Sequence, residues 1–360
     1  MSVHRPSIWT AAGPARGWRV PGVGPDPVRF HRGLPGYRPT PLVEAPELAA
    51  SLAVGRLLVK DESDRFGLPA FKILGASWAV ERALADAVDV RTLVAATDGN
   101  HGRAVARVAA QRGLAARIFV PAGVHPDAVA AIADEGASVR MVSDSYDVAV
   151  AAAVADAEAA GCLLVQDTAW PGYQQIPAWI VEGYSTLFFE IDEQLDGLDL
   201  LVVPVGVGSL AQAAIGHHRR DGIERAPALL SVEPETAACV LRSLQAGEPV
   251  SIATTPTIMS GLCCETASSA AWPFLSQGLD AAVAVGDPVV VEAAGELAAA
   301  GVPGGPCGAA TLAAARLALA DPGLREHLGI TAASTVVLLS TESSTANPSA
   351  LRYRPDGSAG

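Results

Sequence analysis

Between residues 56 and 340, short apolar runs rich in Val, Leu and Ile alternate with segments whose apolar residues recur at helical spacing. RLLVK (56–60), LVAAT (93–97), ARIFV (116–120), SVRMV (138–142), CLLVQDT (162–168), LLVVPVG (200–206), ALLSVEP (228–234) and STVVLLS (334–340) read as strands. Helices are expected at 44–53, 74–87, from the TDGNHG turn through Arg112, 126–135, 147–160, 176–190 and 209–220. Strands that are apolar along their whole length are buried on both faces, and an intervening helix lets successive strands run parallel. The fold class expected is therefore α/β, with parallel-rich twisted sheets flanked by helices. Half of the 360 residues are hydrophobic, enough to fill the core such sheets require. That length points to about two domains. Weak breaks near 75 and 170 suggest an N-terminal arm (1–36), a larger domain (37–74 with 171–360) and a smaller α/β domain (75–170) inserted into it. The arm, with its GWRVPGVGPDPVRFHRGLPGY segment, is expected to be irregular.

A formal net charge of −13 argues against nucleic acid or an anionic membrane as partner. Cys162, Cys239, Cys263, Cys264 and Cys307 are odd in number and lack CxxC spacing, so neither a disulfide framework nor a zinc site is indicated. A reduced, cytoplasmic setting is expected. The N-terminus carries no continuous apolar segment of the signal-peptide kind, and no apolar run reaches about 18 residues. His217 and His218 are adjacent rather than four apart, so they are expected to be surface histidines, and no metal is expected.

Four motifs end predicted strands, where ligands bind in open parallel sheets. Lys72, between Phe71 and Ile73 at a helix start, is expected to be partly desolvated. Burial would lower its pKa and expose a nucleophilic amine. TDGNHG (97–102) joins a strand to a helix and aims backbone N–H groups at one spot, as an anion site does. Within it Asn100 can bond a hydroxyl or phenolate, while Asp98 would repel an anion unless it transfers protons or caps the helix. GVGSLA (206–211) reads as a phosphate cradle. It also matches a dinucleotide fingerprint, with Glu233 as the ribose-binding acid of an NAD(P)-dependent oxidoreductase. Asp167, in VQDTAW, is either a second base or a turn cap. LLSTE (338–342) places hydroxyls where one could bond a heteroaromatic nitrogen.

KDESxRFGLxAFK, TDGNHG, VQDTAW, the G-V-G turn, TIMSGL and LLSTE, in this order, resemble the diaminopropionate ammonia-lyase family. That family belongs to the tryptophan-synthase-β-like (fold-type II) enzymes that use pyridoxal 5′-phosphate. The resemblance spans roughly residues 29–345. It implies that Lys72 holds the cofactor as a Schiff base and that Asn100 contacts its phenolic oxygen. Gly206, Val207, Gly208 and Ser209 would cradle the phosphate, and Ser340 or Thr341 would face the pyridine nitrogen. Asp98 and Asp167 match positions around the substrate amino groups, and Thr97, Gly99, Asn100 and His101 would receive its carboxylate. The implied substrate is a small amino acid, D- or L-2,3-diaminopropionate, converted by α,β-elimination of ammonia to pyruvate. The alternative is dehydration or β-replacement on serine or O-activated serine. A homodimer is usual in the family. Three departures stand out: GVPGGPCGAA (301–310) lacks the customary acid, CCETASSA follows TIMSGL, and Ser343-Ser344 follow STE.

Overall fold

The computed structural model describes residues 8–13, 15–87, 89–97, 99–142 and 146–346. Its strands are β1 (Ile8–Thr10), β2 (Leu42–Glu44), β3 (Arg56–Asp61), β4 (Thr92–Ala96), β5 (Ala115–Pro121), β6 (Ser138–Val142), β7 (Cys162–Leu164), β8 (Leu200–Pro204), β9 (Ala228–Pro234), β10 (Ala281–Val285) and β11 (Thr335–Ser340). They form two sheets, a seven-stranded one ordered β1-β10-β9-β8-β11-β3-β2 and a four-stranded one ordered β6-β5-β4-β7.

The central pairs of the large sheet and all pairs of the small one are parallel. Strands β1 and β2, three residues each, close the large sheet antiparallel at its edges. Short edge strands leave little unpaired backbone to template aggregation. Inner strands such as β8 and β11 are apolar and buried on both faces, because helices cover both sides. We propose the two sheets as the cores of two domains. The strands of the small sheet all lie within 75–170 and those of the large sheet outside it.

The N-terminal segment is more ordered than its composition suggested. Ile8–Thr10 pairs with β10, and Asp26–Gly33 is a helix. From that helix His31 reaches under the helix Ile73–Asp86, where its Nε2–H donates to the Leu74 carbonyl and its Nδ1 accepts from the Thr186 hydroxyl. The correction has a physical basis. Pro and Gly punctuate this stretch without preventing Ile8, Trp9 and Thr10 from completing a sheet edge.

The KDES block forms a buried clamp. Lys60 Nζ donates to Glu190 Oε2 at 2.8 Å, and Arg65 reaches both Glu190 (2.7 and 2.8 Å) and Glu62 (2.6 and 2.8 Å). Two cations and two carboxylates thus balance inside the protein. Arg65 and Lys60 together outweigh the burial that would otherwise raise the Glu190 carboxyl, and hold it low. The clamp fixes β3 and the turn that follows it to the long helix Gln175–Gln194. That turn carries Lys72.

Candidate active site

The carboxyl ends of β8 and β11 in the large sheet face those of β4 and β5 in the small one across a cavity of about 700 Å³. That volume lies within the usual range for small-molecule sites. Lys72 immediately precedes the helix Ile73–Asp86 and projects into the cavity with 23% of its side chain exposed. Its Nζ is 2.6 Å from Asp167 Oδ2, and the Phe71 and Tyr184 rings flank it at 5.5 and 5.9 Å. Asp167 does not end a strand as expected. β7 stops at Leu164, and the following loop carries Asp167 toward the large sheet.

This pairing overturns the expected depressed lysine. Burial does pull the Lys72 ammonium down, but the Asp167 charge, Tyr184 and the hydrogen bond to Asp167 outweigh it and hold the group above its ordinary value. Conversely, burial would raise Asp167, and the Lys72 ammonium keeps its carboxyl well below the usual range. The resting pair is an ammonium and a carboxylate. A neutral amine arises when the ammonium passes a proton to Asp167 or to a bound ligand.

Thr97, Gly99, Asn100 and His101 all line the cavity. Thr97 Oγ1 accepts from the Gly99 and Gly102 amides at 2.9 and 3.0 Å, which folds the turn so that the helix Asn100–Gln111 opens toward the cavity. His101 is buried, with its Nε2–H donated to the Val165 carbonyl at 2.8 Å. Burial, and secondarily Lys72, lower its pKa, with Asp167 opposing, so the ring is neutral and its Nδ1 lies 3.9 Å from Asp167. Asp98 lies outside the described residues.

Gly206, Val207, Gly208 and Ser209 form the turn into the helix Ser209–His218 and line the opposite side. Gly208 has φ +100°, and a Cβ there would meet Leu275 at 2.8 Å, so glycine is required. The Ser209 hydroxyl donates to the Asp167 carbonyl at 2.7 Å. Its proton is committed there, which leaves backbone N–H groups as the anion donors of the turn.

At the end of β11, Thr341 and Glu342 line the cavity. The Ser340 hydroxyl sits just behind, fully buried and without a hydrogen-bond partner among the described residues. A buried hydroxyl in that state is unfavourable unless something completes it. Sequence reasoning left Glu342 out of the site. Glu342 Oε2 accepts from Asn100 Nδ2 at 2.6 Å and Oε1 from the Cys307 amide at 3.2 Å. Tyr146 was likewise missed; it lines the cavity and its hydroxyl accepts from Gln166 Nε2 at 2.7 Å.

Two further expectations change. Glu233 is fully buried and caps the helix Cys239–Ala246 through the Val240 and Leu241 amides at 2.8 and 2.7 Å. It is spent on that cap and does not line the cavity, which removes the acid on which the NAD(P) reading depended. His217 and His218 are buried, not superficial, and converge with Asp192. Arg220 and His217 share the Asp192 carboxylate at 3.2 and 2.8 Å, so a guanidinium already balances its charge.

Residues 34–342 match the family of pyridoxal-phosphate dependent enzymes. The chain belongs to that family. It is 37% identical over 294 residues to diaminopropionate ammonia-lyase of Salmonella typhimurium, covering 74% of this chain and 73% of that protein. A crystal structure of diaminopropionate ammonia lyase from Escherichia coli in complex with D-serine superposes with a TM-score of 0.85 at 31% identity, over 94% of this chain and 95% of that one. The same enzyme in complex with an aminoacrylate-PLP azomethine reaction intermediate gives 0.83 at 32% identity, over 94% of each chain. The residues present here fit the family's cofactor. They supply an amine in the cavity, a backbone N–H turn at a helix start and, just behind Thr341 of the lining, a buried hydroxyl without a partner among the described residues.

Proposed function

We propose that this protein is a pyridoxal 5′-phosphate-dependent lyase that eliminates ammonia from 2,3-diaminopropionate, giving aminoacrylate that hydrolyses to pyruvate and a second ammonia. The observation that carries the reading is the Lys72–Asp167 pair, 2.6 Å apart in a cavity bounded by the Gly206–Ser209 turn. Its likeness to diaminopropionate ammonia-lyases over most of their length supports the substrate.

When bound, the cofactor supplies an electron sink that acidifies the Cα–H bond of an amino acid. Lys72 would hold it through its amine, and the amides of Gly206, Val207, Gly208 and Ser209 would hold its phosphate. The enclosed Ser340 hydroxyl suits the pyridine nitrogen, with Thr341 as the adjoining wall. Asn100 would contact the phenolic oxygen.

The helix start at Thr97, Gly99, Asn100 and His101 would take the substrate carboxylate, since the Asn100 and His101 amides in the first turn and the helix dipole favour an anion there. Neutral His101 adds no competing charge. Once the substrate displaces it, the Lys72 amine accepts the Cα proton, and Asp167 steadies the ammonium that results. The β-amine must depart protonated, and the Lys72–Asp167 pair is placed to return that proton to it. Asp98 is proposed as the base for the opposite enantiomer. A homodimer and a cytoplasmic setting complete the proposal.

A second reading has one observation in its favour. Cys263, Cys264 and Glu265, where the sequence departs from the family pattern, line the cavity. They are placed to retune it for a serine-like substrate, by dehydration or β-replacement. Pyruvate release from cofactor-loaded protein, offered D- and L-2,3-diaminopropionate separately and L-serine, separates the two. Fast release from either diaminopropionate isomer with slow release from serine is expected. Faster release from serine would favour the second reading.

A further inference from the structure

The glycine-rich segment 301–310 lacks the acid that the sequence comparison led us to expect, yet a carboxylate reaches its helix by another route. Glu342, two residues beyond β11, accepts the Cys307 amide at the start of the helix Pro306–Ala320 through Oε1. Its other oxygen accepts from Asn100 Nδ2 at 2.6 Å, so one buried side chain bridges the large sheet and the TDGNHG turn of the small one. The surroundings are shaped to it. A Cβ on Gly305 would come within 2.8 Å of Glu342 Cγ, and the Gly305 amide donates to the Glu342 carbonyl. The carboxylate only accepts, so Asn100 must present Nδ2 to Glu342. That fixes which end of the amide faces Glu342 and leaves Oδ1 and the second N–H for other partners at the cavity that Asn100 lines.

We propose that Glu342 is a positioning residue. It orients the Asn100 amide against the phenolic edge of the cofactor and so sets the electronic state of the bound group. This rests on the reading of a pyridoxal-phosphate site but not on the identity of the substrate. Charge-assisted hydrogen bonds are about twice as strong as neutral ones, so loss of the charge should loosen Asn100 measurably. Burial holds the Glu342 carboxyl above its ordinary value, and Cys307, Asn100 and Lys72 offset that only in part.

The test compares E342Q, N100A and the double variant E342Q/N100A as purified holoenzymes without substrate. The readouts are the pH midpoint of the visible band of the lysine-linked cofactor and the dissociation constant for pyridoxal phosphate. E342Q and N100A should each shift the midpoint in the same direction. Each should weaken cofactor binding about 10-fold, the scale of one charge-assisted hydrogen bond. The double variant should be no worse than N100A alone, because the two residues act as one unit. Additive effects, or an E342Q protein whose midpoint and affinity match wild type while only its melting temperature falls, would overturn the proposal. E342D keeps the charge but is one methylene shorter, so its carboxylate is withdrawn from Asn100. If E342Q does not fold, E342D must still shift the midpoint the same way, and no shift overturns the proposal.

Discussion

Glu190 offers a quantitative test of the buried clamp. It accepts Lys60 Nζ at 2.8 Å, Arg65 at 2.7 and 2.8 Å, the Tyr37 hydroxyl at 2.9 Å and the Thr40 amide at 3.2 Å, and its side chain is 0% exposed. Glu190→Gln keeps the shape but leaves Lys60 and Arg65 facing Glu62 alone, and turns an NH2 group toward donors. Removing one partner of a buried ion network costs about 3–5 kcal/mol. Unfolding entropy near 2.1 cal/mol/K per residue, taken over 360 residues, converts this to a drop of about 4–7 °C in Tm. Melting of the cofactor-free protein, followed by circular dichroism, measures it. Glu44→Gln is the control, because its partner Arg56 forms an ion pair with both side chains about half exposed, and no resolvable shift is expected. Equal shifts in the two variants would refute the claim that the KDES block is a structural clamp.

Two further perturbations follow from the site and the core. Asp167→Asn removes the charge that holds the Lys72 ammonium up, so burial then dominates and its pKa falls. The pH profile for capture of pyridoxal phosphate by the cofactor-free protein should move to lower pH by about one unit or more, and an unmoved profile would contradict the ion-pair account. Glu233 is raised by burial to about 8 from 4.5, so the folded state keeps a proton that the unfolded chain has lost. Its contribution is fully present below the unfolded pKa and declines as pH rises toward the folded one. Glu233→Gln should therefore flatten the fall in Tm over that window, whereas parallel curves for variant and wild type would exclude it.

The parallel strands were legible in the sequence because buried strands such as LLVVP and TVVLLS are continuously apolar and bounded by turns. β10 was not, because AAVAV is alanine-rich and carries no clear strand period. β1 was hidden by its three-residue length within a Pro- and Gly-rich arm. Within the site, Lys72 and the glycine turn could be located from local motifs. The ionisation of Lys72 could not, since its partner Asp167 is 95 residues away. The Asn100–Glu342 contact spans 242 residues, so only the fold reveals it. Local chemistry names the parts of this site, and tertiary contacts set their charges.

The central claim is that Lys72 carries the cofactor. Borohydride reduction of the loaded enzyme, followed by proteolysis and mass spectrometry, tests it without any assumption about substrate. The account predicts a single phosphopyridoxyl-lysine, on the peptide containing Lys72, and its loss in Lys72→Ala together with the visible band. A label on another lysine, or a band that survives Lys72→Ala, would contradict it.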